Sequence, residues 1–86
     1  MSIKEIKLPK WFNGEVYKDG ATVQNRFSGE EYELNNIELS MYDFIMGATQ
    51  MAEMGIFNTP YHIQELRKGL DWFRKNNAEA YMILLD

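Results

Sequence analysis

The chain has 86 residues, 45% hydrophobic and 26% charged, with no cysteine and a formal net charge of −4. One small domain near the lower limit of a self-supporting core fits those values, and the apolar content is too high for a disordered chain. Disulfide and thiolate chemistry are excluded, and the acidic balance opposes a general nucleic-acid binder, whose phosphate contacts need a basic surface.

No apolar run approaches the roughly 20 residues that cross a bilayer. The opening "MSIKEIKLPK" is charged throughout and lacks the apolar core of a signal peptide. The expectation is a cytoplasmic protein that does not engage a membrane. Residues 1–13 read as an arm, with Ile3, Ile6 and Leu8 among three lysines and the pair Trp11-Phe12 as its anchor. Residues 14–34 read as a three-stranded β-meander. Asp19-Gly20 supplies the first turn and Ser28-Gly29 the second, each taken as a two-residue loop. That register sets Val16, Val23 and Leu34 side by side on one face and pairs Arg26 with Glu31 on the other. It also turns Asn25 toward the apolar face, at a wet rim or against a backbone group of the arm.

From residue 35 the hydrophobic period changes to that of helices. Asn35 with Glu38 three residues on is a capping-box pattern, and Gly55 is a stop signal, so a first helix is predicted to about Met54. Thr59-Pro60 opens a second helix that ends near Lys75, with Arg74 and Lys75 set against its dipole. Asn76-Asn77 caps a short third helix, "AEAYMILLD". The order β-β-β-α-α-α makes one α+β domain over residues 1–86, with residues 35–86 as its helical part.

The residues offer little catalytic chemistry. His62 is the one histidine, and its place beside the Ile63, Leu66, Leu70, Phe73 stripe suits packing or capping better than catalysis. Glu30, Glu31 and Glu33 lack a basic or carboxylate partner for acid–base work and read as a solvated charge run. The glycines have no phosphate-loop spacing. No enzyme activity, metal or cofactor is expected.

Surfaces for a partner are more informative. On the first helix Ile37, Met41, Phe44, Ile45, Ala48, Met51 and Ala52 form one stripe, predicted to pack on Val16, Val23 and Leu34. Leu39, Tyr42 and Met46 form a second stripe on nearly the opposite side. Either the second and third helices cover it, or it meets a protein, as a homodimer interface or a groove for another chain. Four methionines on this helix, Met41, Met46, Met51 and Met54, suit either core filling or an adaptable surface. On the second helix Tyr61, Lys68 and Trp72 fall together away from the core stripe. That patch either stacks on a nucleobase or anchors a protein, unless Trp72 lies beneath the last helix against Tyr81 or Leu85.

The phrases "TVQNRFSGEEYEL", "ELSMYDFIMGA" and "GLDWFRKNN", with the closing "EAYM" and "LLD", resemble a family of small uncharacterised proteins of T4-like tailed bacteriophages of marine bacteria. The resemblance runs from about Leu8 to Asp86, and it departs at Ala78, where proline is expected after "KNN". It implies a viral protein at work in the cytoplasm of an infected bacterium, and it brings no catalytic motif, cofactor or binding residue. The resulting expectation is a non-enzymatic phage accessory protein that binds a protein, whether itself or a host or phage protein. The alternatives are a nucleic-acid-associated protein using the aromatic and lysine patch, or a minor virion component.

Overall fold

The computed structural model describes residues 7–12, 14–55 and 60–85, with the side chains of Pro60 and Tyr61 outside that set. Two strands, β1 (Ala21–Gln24) and β2 (Glu31–Leu34), form an antiparallel hairpin. Three helices follow, α1 (Asn36–Glu53), α2 (Pro60–Asn76) and α3 (Ala78–Leu84). The class is α+β as expected, but among the described residues the sheet has two strands and the expected third is not shown.

The third strand is missing because its backbone groups are engaged elsewhere. The Tyr17 N–H donates to Ser40 Oγ at 2.9 Å, and Asn36 Nδ2 donates to the Tyr17 carbonyl at 3.4 Å. Ser40 itself is buried and donates to the Asn36 carbonyl at 2.7 Å. The segment before β1 therefore docks on the first turns of α1 instead of extending the sheet. Val16, expected in the core, is 59% exposed. Gly20 is not at positive φ, as a two-residue primed turn would require. Its role is close approach: a Cβ there would lie 2.1 Å from the Leu34 carbonyl oxygen.

The hairpin register is also corrected. Ala21 faces Leu34 and Val23 faces Tyr32, two residues away from the register of a two-residue loop. The loop has four residues, 26–29, closed by the Asn25 N–H donating to the Glu30 carbonyl at 2.8 Å. Gly29 at φ 80° accommodates the left-handed step. A slip of two preserves which side chains share a face, so Val23 and Leu34 still point inward with Tyr32. The Arg26–Glu31 pair does not form; Arg26 instead reaches Glu53 of α1 at 3.5 Å.

Two of the three predicted helix N-caps, those of α1 and α3, are present, and they are joined. Asn35 Oδ1 accepts from the Glu38 N–H at 2.8 Å, and Glu38 Oε1 accepts from the Asn35 N–H at 3.0 Å. The second carboxylate oxygen of Glu38 accepts from Asn77 Nδ2 at 2.8 Å, while Asn77 Oδ1 caps α3 by accepting from Ala80 N–H. Glu38 is only 6% exposed, and the two hydrogen bonds its carboxylate accepts, one at each oxygen, leave it satisfied. Gly55 at φ 77° follows the end of α1 as anticipated. Arg74 and Lys75 occupy the last turn of α2. The proposed Thr59 cap lies outside the described residues.

The core gathers Leu34, Met41, Ile45, Phe73, Ala80 and Leu84 from β2 and all three helices. The broad stripe of α1 meets α2 directly. A Cβ at Gly69 would lie 3.1 Å from Ile45 Cγ1, with Met41 and Phe44 next nearest, so the missing side chain brings the two helices close. The aromatic pair of the arm anchors as expected: Trp11 and Phe12 stand 6.1 and 5.4 Å from the Phe44 ring. Among the described residues, no helix is long and apolar enough to cross a membrane.

Candidate binding cleft

The hairpin loop is shaped by Asn25. Its Oδ1 accepts from the Phe27 N–H at 2.7 Å and the Ser28 N–H at 3.1 Å, an Asx turn that starts the loop. Its Nδ2 donates to the Ile83 carbonyl of α3 at 2.8 Å. Asn25 does satisfy a backbone group, but one of the last helix rather than the arm. That single side chain both folds the loop and ties it over the end of α3.

Tied in this way, the loop roofs a cleft of about 370 Å³ between the hairpin and all three helices. Ile45 and Leu84 are its buried base, and Tyr42, Met46, Leu66 and Leu70 line its sides. Gln24, Asn25, Arg26 and Thr49 add polar groups, and Phe27 stands at its edge. Phe27 is 84% exposed, with the Arg26 guanidinium 4.9 Å above its ring centroid. That cation–aromatic contact restrains two exposed side chains without hiding the ring.

Two of the three stripe residues, Tyr42 and Met46, meet at this cleft. Tyr42 also packs at 6.5 Å from the Phe73 ring, so one edge of it belongs to the core. Burial raises the pKa of its hydroxyl above the ordinary tyrosine value, while the charge of Arg26 acts in the opposite sense. The third residue, Leu39, packs against the core cluster and does not line the cleft. The second stripe is thus divided, part interior and part surface. Among the described residues, no carboxylate or histidine lines the cleft.

The alternative patch on α2 is only partly brought together. Trp72 Nε1 donates to the Lys7 carbonyl at 3.3 Å, which docks the arm onto α2. The indole N–H therefore reaches the arm, while the ring packs against the core cluster. Lys68 is exposed and lines a separate concavity of about 430 Å³ with Arg67, Leu70, Asp71, Arg74 and Tyr81. Asp71 holds Arg74 at 2.7 Å and Lys75 at 3.1 Å, and these pairs keep its carboxyl below the usual range. The side chain of Tyr61 is outside the described residues.

Comparison with protein-family models, curated proteins and solved structures found no match. The cleft must be read from its own residues. Sequence reading took Arg26 and Phe27 as parts of a structural hairpin and missed their place at its edge. A signal was present: Phe27 is a large apolar residue in a polar turn, with no apolar partner in any register.

Proposed function

We propose that this chain is a non-enzymatic protein-binding module, a phage accessory protein acting in the cytoplasm of an infected bacterium. One observation carries the reading: Phe27, 84% exposed, stands at the edge of an apolar cleft that contains Tyr42 and Met46. Aromatic and methionine side chains are the types enriched where proteins meet, and an exposed ring beside a cleft is a ready anchor. The viral setting rests on the resemblance of the "TVQNRFSGEEYEL" and "ELSMYDFIMGA" phrases alone.

The partner is another protein or a second copy of the chain. Light scattering on the purified protein separates these, because a strict monomer removes the homodimer. Affinity capture from infected cells then tests the surface. Capture should be lost with Phe27→Ser and kept with Val16→Ser, an exposed apolar site outside the cleft. Equal capture by both variants would sink the reading.

A second reading keeps nucleic acid as partner, favoured by Arg67, Lys68 and Arg74 around one concavity. Unchanged tryptophan fluorescence on titration with single-stranded DNA or RNA at low salt counts against it. A role as a minor virion component would show in mass spectrometry of purified particles.

A further inference from the structure

The cleft has a chemical polarity that specifies its partner further. Its base is apolar, but two hydrogen-bond donors stand at the hairpin end. Arg26 is the first. Its contact with Glu53 is 3.5 Å long, and both side chains are more than half exposed, a geometry that contributes little. The guanidinium therefore retains donors, and its planar fork matches a carboxylate. The Tyr42 hydroxyl is the second, with no hydrogen-bond partner among the described residues and near enough to feel the charge of Arg26. Burial keeps that hydroxyl in its neutral, donating form.

Size limits the occupant as well. About 370 Å³ is at the small end of the roughly 300–1,000 Å³ typical of ligand cavities. The loop closes one end, so the space suits one large side chain better than the face of a long helix. Phe27 at the rim of the cleft offers a further apolar contact to a chain running past the edge.

Resting on the protein-binding reading above, we infer that the cleft receives a partner segment presenting one large apolar side chain with an aspartate or glutamate close by in sequence. The apolar side chain fills the space between Met46 and Leu70. The carboxylate meets Arg26 and Tyr42, displacing the exposed Glu53. An exposed ion pair is thereby exchanged for one partly shielded by the partner, where charge-assisted hydrogen bonds are stronger.

A library of random linear peptides panned against the wild-type protein and against Arg26→Glu tests this. The wild type should enrich leucine, phenylalanine or tryptophan beside an acidic residue, and the variant should enrich the same apolar residues beside a basic one. Arg26 is exposed, so the variant should fold. A synthetic peptide of the wild-type consensus should bind Arg26→Glu about tenfold more weakly or worse. It should also fail to bind Met46→Lys, and amide shift changes should cluster at Tyr42, Met46, Leu66 and Leu84.

One consensus shared by both proteins overturns the inference, as does the absence of any enrichment. So do shift changes that map away from the cleft, or a dimer whose second copy fills it. Phe27-dependent capture of a protein from infected cells, together with any of those failures, leaves the broader reading standing. Loss of both results removes both.

Discussion

Asn25 is the residue whose single substitution should reveal most. It closes the loop through its side-chain oxygen and holds the Ile83 carbonyl through its nitrogen. Asn25→Ala removes both contacts and is expected to cost about 1–2 kcal/mol in chemical unfolding. Asn25→Asp keeps the turn but sets a carboxylate against a carbonyl oxygen, so it should be no more stable than the alanine variant. Tyr32 offers a test in pH. Its hydroxyl donates to Glu79 at 2.9 Å, and this bond, with a smaller contribution from burial, holds its pKa above the ordinary tyrosine value. The neutral phenol is the form favoured by folding. Its contribution is therefore present below the unfolded pKa of about 10 and lost as pH rises through the folded value. The pKa values of Tyr17 and Tyr42 are raised as well, so ultraviolet titration should show several late tyrosine ionisations, of which one moves earlier in Glu79→Gln.

At the scale of elements, the junction of α1 and α3 and the crossing of α1 with α2 position the cleft. Glu38 completes the cap of α1 and also takes the Asn77 amide that starts α3. Glu38→Ala leaves the Asn35 N–H and Asn77 Nδ2 without these acceptors in a partly buried place, and should cost about 1–3 kcal/mol in thermal or urea unfolding. A cost near that of an exposed substitution would mean the two caps are independent. Gly69 sets the distance between α1 and α2. Gly69→Ala gains helix propensity, but its Cβ must move Ile45 by a few tenths of an ångström. Gly69→Val has no such room and should lower stability by about 1–3 kcal/mol through overpacking. A wild-type melting temperature for the valine variant would refute the close crossing.

For the whole molecule, the second stripe of α1 distinguishes an interior from an interface. Leu39 packs on the core, so Leu39→Ser should destabilise the monomer by about 2 kcal/mol. Met46 is half-buried at the cleft, and Met46→Lys can extend its charged end into solvent there, so it should retain most of the stability while losing partner binding. Equal stability losses at both sites, measured by unfolding and paired with light scattering, would place Met46 in the core as well. The fold survives the loss of a third strand for a related reason. With only 86 residues, α1 supplies hydrogen-bond partners for the Tyr17 backbone that a sheet edge would otherwise provide.

Local chemistry determined much of this protein from the sequence alone. Asn35 with Glu38, Asn77 and Gly55 act over a few residues, so the starts of α1 and α3 and the end of α1 were legible without tertiary contacts, whereas Gly29 marked the turn but not its length. The inward face of the hairpin was legible too, since a two-residue slip cannot change it. Tertiary structure decided what depends on distant partners: Ser40 capturing Tyr17, Ile83 holding Asn25, and Glu38 linking two caps. The cleft belongs to this second group. Tyr42, Met46 and Phe27 are separated along the chain, and only the packing of the loop over three helices brings them to one edge.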